Sequence, residues 1–155
     1  MTTDRKIVSL SAEGTIRIGR ELARELAPPV LVLLSGDLGS GKTTLAKGLV
    51  SGLGVATEDE VTSPTFTLVH EFHAAPPRSL RVYHIDLYRI EGPADLPSLG
   101  LEDLFATPAV ILVEWPEKWR LPADWPVVRV RLEVREDLSR AIIVSTGGAS
   151  SAAGS

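Results

Sequence analysis

The feature that most constrains this chain is a glycine-rich loop that follows a short apolar run. The run covers residues 30–35, and the loop reads Gly-Asp-Leu-Gly-Ser-Gly-Lys-Thr-Thr over residues 36–44. The loop matches the pattern G-x-x-x-x-G-K-[ST], in which a buried strand leads through a phosphate-binding loop into a helix. The pattern therefore predicts a strand–loop–helix unit that binds a nucleoside triphosphate with magnesium.

The chemistry of a triphosphate explains the residue types in this loop. Glycines let the backbone approach the phosphates closely, and successive N–H groups of the loop and the helix start form an anion-binding nest. Lys42 is expected to reach the β- and γ-phosphates, and the Thr43 hydroxyl is the expected magnesium ligand. A glycine-rich turn without a ligand is the alternative, but the strand and helix signals on either side favour binding. The predicted nucleotide-binding residues are Gly36, Asp37, Leu38, Gly39, Ser40, Gly41, Lys42, Thr43 and Thr44.

Composition narrows the class of protein. A chain of 155 residues with 44% hydrophobic and 23% charged residues is typical of one globular domain, which we expect over residues 1–146. The Gly-, Ala- and Ser-rich residues 147–155 predict a disordered tail. There is no cysteine for a disulfide or a thiolate metal site. We see no secretory signal and no apolar run near the roughly 20 residues that span a membrane, so we expect a cytoplasmic protein.

Charge and missing residue types exclude further classes. The net charge is −4, and no basic face is evident that would hold DNA or RNA directly. The chain contains neither Asn nor Gln. A Ras-like glutamine and the Asn-Lys-x-Asp guanine motif of GTPases are therefore impossible. Water activation would have to fall to a carboxylate or to a partner protein.

Apolar patterning predicts an α/β fold. We expect strands at residues 6–10, 30–35, 67–73, 81–88, 109–114, 127–134 and 141–144, helices at residues 13–25 and 44–53, and one or two short helices within residues 95–106. Strands that alternate with helices predict a three-layer, P-loop NTPase-like fold with a mostly parallel central sheet. The last two strands could pair with each other, which predicts an antiparallel C-terminal strand pair.

Two strands end in polar residues that could complete a nucleotide site. Glu114 follows four apolar residues, as the acid of a Walker B strand does, and we expect it to bind magnesium. Alternation places His84, Asp86 and Tyr88 on one face of the strand at residues 81–88. Asp86 is a candidate for orienting water or for the magnesium second shell, whereas His84 and Tyr88 fit a structural role equally well. Arg89 could offset charge on the γ-phosphate or pair with an exposed acid.

Two further segments were considered for function. A segment between the loop helix and the next strand occupies the place where phosphate-loop proteins sense the γ-phosphate, although a capped turn is an equal alternative. His70 and His73 do not suit zinc, because a spacing of three on a strand puts them on opposite faces, and we expect both at the surface. The candidate switch residues are Ser63, Pro64, Thr65 and Phe66.

Taken together, these motifs resemble the TsaE family, also called YjeE. The resemblance runs from about Thr15 to Pro122, and it is carried by residues 36–44, 63–69, 84–89, 99–103 and 113–118. It implies a small ATPase with weak activity alone that uses ATP and Mg²⁺. It also implies action on a complex of TsaB and TsaD, whose TsaD subunit transfers a threonylcarbamoyl group to an adenosine beside the tRNA anticodon. The nucleotide cycle would activate or reset that transferase, and tRNA would be met only through the complex.

The resemblance assigns roles to individual positions. It implies that Lys42 and Thr43 hold phosphate and magnesium, that Glu114 is the magnesium acid, and that Asp86 is a second essential acid. Trp115 also matches a motif position of the family, as the candidate switch residues do. We therefore expect Lys42, Asp86 and Glu114 to be the catalytic residues and Thr43 and Glu114 to hold the metal.

Two other functions share the same loop. A small-molecule kinase would need an acceptor pocket and usually an arginine-bearing lid, but residues 91–106 contain no Arg or Lys. A nucleotide switch that does not hydrolyse ATP would need no pair of positioned acids. Glu114 and Asp86 therefore favour hydrolysis.

Overall fold

The computed structural model describes residues 3–61, 69–90, 100–120 and 124–149. Within them, one seven-stranded sheet has the order β1-β7-β6-β2-β5-β4-β3. The elements are β1 (Thr3–Ser9), α1 (Ala12–Ala23), β2 (Val30–Gly36), α2 (Lys42–Leu53), β3 (Val69–His73), β4 (Arg81–Asp86), β5 (Val110–Glu114), β6 (Pro126–Val134) and β7 (Arg140–Ala149). Short 3-10 helices cover Glu58–Glu60, Leu101–Ala106 and Pro116–Lys118.

The centre of the sheet is parallel and its margins are antiparallel. β2 runs parallel to β5 and β6, and β4 runs parallel to β5. β2 and β5 are continuous apolar runs because both faces of the sheet are covered at this position. β3 pairs antiparallel with β4, and β7 pairs antiparallel with both β6 and β1. The predicted α/β fold with an antiparallel C-terminal pair is confirmed, within a sheet that is mixed.

The two faces of the sheet carry separate apolar cores. On one face, Leu34 and Leu112 pack with Leu22 of α1 and Leu49 of α2. The core on the other face lies beneath the 3-10 helix at Leu101–Ala106 and includes Leu33, Ile85, Ile111, Leu101 and Trp119. Both described α-helices thus lie on one side, and the third layer is built in the described residues from 3-10 helix and connecting chain. None of the described helices is long and apolar enough to cross a membrane.

Several elements end elsewhere than predicted. β7 continues to Ala149, so the expected strand end at Val144 is wrong. Thr146 pairs with Val128 of β6 and with Thr3 of β1, and Ala149 pairs with Pro126 of β6. The disordered tail over residues 147–155 stays a prediction. β4 ends at Asp86, two residues before its predicted end. Three predicted segments lie outside the described residues, namely part of a strand at residues 67–68, part of the short helices at residues 95–99 and the tail at residues 150–155.

Candidate functional site

Three parallel strands bring the predicted site residues together at their carboxyl ends. β2 ends at Gly36, β4 at Asp86 and β5 at Glu114. Glu114 lies in register with Asp86 on one side and with Leu34 on the other. Because parallel strands end at the same edge, the two acids stand beside the start of the glycine-rich loop.

The glycine-rich loop has the backbone that its sequence requires. Gly36, Gly39 and Gly41 have φ angles of 143°, 80° and 107°, a region that favours glycine. A Cβ atom on Gly36 would lie 2.5 Å from the carbonyl oxygen of Leu132 on β6. α2 begins directly after Gly41, and no side chain caps its N terminus. The N–H groups of its first turn are therefore available for an anion.

Lys42 is buried at the base of this loop. Its side chain is only 5% exposed, and Nζ donates hydrogen bonds to the carbonyl oxygens of Gly36 at 2.7 Å and Asp37 at 2.9 Å. The same ammonium group lies 4.3 Å from the ring centroid of Trp115, within the range of a cation–π contact. The loop thus holds Lys42 close to where Lys42 is predicted to bind phosphate.

The charge of Lys42 is set by opposing effects. Burial lowers its pKa below the ordinary value, because removing an ammonium group from water disfavours the charged form. The carboxylates of Glu114 and Asp86 act in the opposite direction. This arrangement places one cation against two nearly buried acids, and the cluster can accept further positive charge.

Glu114 is the centre of the polar cluster. Its carboxylate is 2% exposed, and the Thr43 hydroxyl lies 3.1 Å from Oε1 and 3.0 Å from Oε2. His84 Nε2 lies 2.6 Å from Oε2. Hydroxyl and carboxylate oxygens are the hard ligands that magnesium prefers. The side chains of Thr43 and Glu114 therefore fit the ion that the loop pattern implies.

Asp86 has a structural contact in addition to its place in the cluster. Its Oδ1 accepts a hydrogen bond from the backbone N–H of Tyr88 at 3.0 Å, which turns the chain and ends β4. The predicted face of His84, Asp86 and Tyr88 is therefore wrong for Tyr88, which lies beyond the strand. The Tyr88 ring instead packs at 5.2 Å from the ring of Trp115 and is 44% exposed. Lys118 donates a hydrogen bond to the Tyr88 carbonyl oxygen.

A cleft of about 700 Å³ opens over the loop and the two acids. Most of the predicted site residues line it, and they are Leu38, Gly39, Gly41, Lys42, Thr43, Thr44, Asp86, Tyr88, Arg89, Glu114 and Trp115. Gly36, Asp37 and Ser40 belong to the loop but do not line the cleft. His84, which the sequence left between a site role and a structural role, is fully buried and does not line the cleft. Residues 63–66, the candidate switch, lie outside the described residues.

Sequence reasoning missed one residue that holds the loop. Arg140, the first residue of β7, donates from Nε to the Ser40 carbonyl oxygen at 3.1 Å and from Nη2 to that of Gly39 at 3.4 Å. Its Nη1 donates to the carbonyl oxygen of Leu138 at 2.6 Å. The residues around Arg140 in the sequence do not indicate this contact, because Ser40 and Gly39 lie about one hundred residues away in the chain.

A further part of the cleft lining was also missed. It is formed by residues between β1 and α1 and by the β6–β7 turn, including Leu10, Ser11 and Leu138. Leu10 is 82% exposed and Leu138 is 74% exposed, so two large apolar side chains of the cleft lining face solvent. The sequence alone could not indicate this part of the cleft, because the exposure of the two leucines depends on where the turns lie.

The two strand histidines differ from each other. His70 is half-buried, and its ring centroid lies 6.5 Å from that of His84, so the expectation of a surface position is wrong for His70. Burial lowers the pKa of His70. His73 is exposed, as expected. The described residues contain no group of three or more His, Asp or Glu side chains that could hold a metal without help from a ligand.

Comparison with known proteins identifies similar chains. Residues 9–142 match the family model described as threonylcarbamoyl adenosine biosynthesis protein TsaE. A protein from Treponema pallidum, called tRNA threonylcarbamoyladenosine biosynthesis protein TsaE, is 37% identical over 90% of this chain and 99% of its own length. The protein of the same name from Haemophilus influenzae is 41% identical over 66% of this chain and 65% of its own length.

A solved structure shares the fold. The crystal structure of Bacillus subtilis YdiB superposes with a TM-score of 0.69 and 31% sequence identity. The match covers 96% of this chain and 88% of the other. The likeness thus includes the C-terminal strands, where the sequence motifs are weakest.

Proposed function

The chain belongs to the TsaE family of threonylcarbamoyl adenosine biosynthesis proteins, and we propose that it binds ATP with magnesium and hydrolyses it slowly in support of that tRNA modification. The hydrolysis would activate or reset a TsaB–TsaD transferase complex. The protein would meet tRNA through that complex and would work in the cytoplasm.

One observation carries the proposal. The hydroxyl of Thr43 lies within hydrogen-bonding distance of both oxygens of the buried Glu114 carboxylate. These residues come from two different motifs that are 71 positions apart in the chain. Lys42 supplies one cation for two buried acids, Glu114 and Asp86, and burying a charge destabilises the fold unless it is compensated. A magnesium ion brought by a nucleotide would compensate the remaining negative charge.

The donor set suits magnesium that is shared with a nucleotide. Mg²⁺ is usually held by one or two carboxylates together with substrate phosphates. Thr43 and Glu114 would hold the ion, and the phosphates would complete its ligands, in keeping with the lack of a protein-only metal cluster in the described chain. When bound, the ion would neutralise charge on the phosphate oxygens.

The remaining steps fall to residues of the chain. The loop N–H groups and Lys42 would position the phosphates and stabilise the charge that develops on them. Asp86, which lines the cleft beside Glu114, is the candidate for orienting the attacking water. Trp115 and Tyr88 would limit water access from the side of the cleft that they line. Without a glutamine anywhere in the chain, we expect slow turnover in the protein alone.

The part of the cleft that Leu10 and Leu138 line is the candidate place for the nucleotide base. Leu10 and Leu138 are exposed there, and planar bases bind well against apolar side chains. The Asn-Lys-x-Asp guanine motif is missing from the sequence. Adenine is therefore the base that we assign to this part of the cleft.

The experiment is a phosphate-release assay with Mg-ATP. The purified chain would be assayed alone, with cognate TsaB and TsaD, and with both proteins and tRNA, using Lys42→Ala as the blank. We expect a slow rate for the chain alone and a clear rise when the partners are present. The same reactions with GTP would test the choice of base.

The outcomes separate the proposed function from its rivals. A rate that stays at the Lys42→Ala level in all mixtures, together with tight ATP binding, would replace the ATPase by a nucleotide switch. Transfer of phosphate to a nucleoside or sugar acceptor would replace it by a kinase. A clear intrinsic rate that the partners do not change would leave an ATPase without the proposed link to tRNA.

A further inference from the structure

His84 is a buried polar residue that lies outside the lining of the cleft. Its side chain is completely inaccessible to solvent, at the centre of β4. Nε2 lies 2.6 Å from Oε2 of Glu114, whose side chain is 3% exposed. Nδ1 is buried and has no hydrogen-bond partner among the described residues. The imidazole therefore makes one hydrogen bond, and that bond is directed at the acid of the candidate magnesium site.

Stability alone does not account for this arrangement. Burying an imidazole with an unpaired ring nitrogen is unfavourable, and an aliphatic residue would fill the same strand position without that penalty. The neighbouring residues Val82 and Leu112 are aliphatic on the same face of the sheet. The ring of His70 packs edge-on against His84 and limits how the ring can turn. His84 is thus fixed in an orientation that keeps the contact of Nε2 with Glu114 and leaves Nδ1 without a hydrogen-bond partner in the described chain.

The direction of the hydrogen bond follows from the partner. An ionised carboxylate can only accept hydrogen bonds, so Nε2 carries the proton and its N–H group donates a hydrogen bond to Oε2. This donation restrains rotation of the carboxylate about its last bond. Both carboxylate oxygens are then kept within reach of the Thr43 hydroxyl, which lies 3.1 Å from Oε1 and 3.0 Å from Oε2. Outer-shell donors of this kind orient metal-binding carboxylates in many proteins.

We propose that His84 is a positioning residue, which fixes the Glu114 carboxylate in the orientation needed to bind the magnesium of the nucleotide. The inference rests on the proposed function, because it concerns the same site. His84 itself does not line the cleft. Its effect would pass through Glu114 alone.

The test uses two amides that differ in where they place their N–H group. The side-chain nitrogen of Gln reaches about as far as Nε2 of His, whereas that of Asn reaches only as far as Nδ1. His84→Gln keeps a donor for Glu114, and His84→Asn removes it while keeping a polar side chain. Binding of a fluorescent ATP analogue would be titrated with Mg²⁺ for both variants and the wild type, and also measured in EDTA. Thermal unfolding of each variant gives the structural effect separately.

We expect His84→Asn to need about 10- to 100-fold more Mg²⁺ for half-maximal effect on nucleotide binding. Its affinity in EDTA should stay within about twofold of the wild type, since the loop N–H groups and Lys42 that bind phosphate are unchanged. His84→Gln should restore most of the magnesium response. Equal magnesium midpoints for Asn and wild type would overturn the inference, and so would a Gln variant as impaired as Asn.

Two other results have a defined meaning. If His84→Asn does not unfold cooperatively, His84→Met provides an apolar side chain of similar volume without the donor, and the same magnesium shift is expected. If wild-type nucleotide binding does not respond to Mg²⁺ at all, the proposed function fails, and the inference fails with it. If the wild type responds to Mg²⁺ and the His84 variants do not, the proposed function is retained.

Discussion

The ammonium group of Lys42 shows how a single residue can be prepared for a ligand. It is held by two loop carbonyl oxygens and the Trp115 ring, and nearby acids favour its charged form in spite of burial. A phosphate oxygen could replace the carbonyl contacts without moving the lysine backbone. The loop therefore contributes both the nest of N–H groups and a cation that is already close to it.

Replacing Lys42 by alanine should weaken ATP binding about 10- to 100-fold, the size of a lost charge-assisted hydrogen bond. Titration of a fluorescent ATP analogue would measure it. Lys47→Ala removes a half-buried lysine from the same helix, away from the cleft, and should bind normally. Ordinary binding by the Lys42 variant would overturn the assignment of the loop.

Glu114→Gln separates the charge of this residue from its shape. The amide oxygen can still accept from Thr43, but the negative charge is lost, and magnesium affinity depends on ligand charge. We expect about tenfold or more Mg²⁺ to be needed for the same effect on nucleotide binding. Glu117→Gln changes an exposed acid three residues away and should have little effect. An unchanged magnesium titration for the Glu114 variant would move the metal role to Asp86.

Among the larger elements, the β6–β7 hairpin supports the phosphate-binding loop from the side. Arg140 at the start of β7 bonds the carbonyl oxygens of Ser40 and Gly39, and Leu132 of β6 lies against Gly36. The loop is thus enclosed by its own helix and by two strands that follow it much later in the chain. This contact makes the C-terminal hairpin part of the candidate nucleotide site.

Arg140→Ala should therefore loosen the loop and weaken ATP binding by about 3- to 10-fold, the effect of losing one or two hydrogen bonds. Arg140→Lys should recover only part of this, because one ammonium group cannot match the guanidinium fork. Arg131→Ala is the matched control, since this arginine lies on β6 with a side chain that is 60% exposed. Equal affinities for the Arg140 and Arg131 variants would show that the loop does not depend on the hairpin.

The contact between α1 and α2 depends on glycine. A Cβ atom on Gly48 would lie 2.1 Å from the carbonyl oxygen of Ile16, and one on Gly19 would lie 2.6 Å from that of Leu45. The two helices thus approach through their backbones. This approach fixes how α2 enters the site.

Gly48→Ala should lower the free energy of unfolding by about 1–3 kcal/mol, although alanine is the better helix former, because the helices must move apart. Urea denaturation would measure the change. Arg17→Ala, at an exposed position of α1, should stay within about 0.5 kcal/mol of the wild type. A Gly48 variant more stable than the wild type would mean that the helix seam adjusts freely.

The strands that build the site were predictable because their signals are local. β2 and β5 are apolar runs that end at a glycine loop and at an acid, so Lys42, Thr43 and Glu114 could be named from the sequence alone. The end of β4 was misjudged, because the Asp86 side chain bonds the Tyr88 N–H and turns the chain. The role of Arg140 could not be predicted, since it depends on the approach of distant segments.

In the sheet as a whole, β7 lies between the edge strand β1 and β6, which pairs with the parallel strand β2. β1 is at one edge, and within the described chain it pairs with β7 alone. Residues 145–149 were hidden from sequence reasoning, because their small and polar side chains are typical of disorder. Their backbone nevertheless pairs on both sides, at Ser145 and Thr146 with β1 and β6. Backbone pairing that two neighbouring strands supply does not depend on side-chain type, and a local pattern therefore does not reveal it.

Two truncations test this role of β7. A chain that ends at Ala149 keeps every described pair of the strand, and it should unfold at the same urea concentration as the full chain. A chain that ends at Val144 loses the pairs of Ser145 and Thr146, and we expect about 1–3 kcal/mol lower stability, about 1 kcal/mol for each lost hydrogen bond. Both chains keep Arg140, so ATP affinity measured well below the unfolding transition should not change. Equal stability of the two truncated chains would show that residues 145–149 do not hold β1 in the sheet. A destabilised chain ending at Ala149 would show instead that residues 150–155 contribute to the fold.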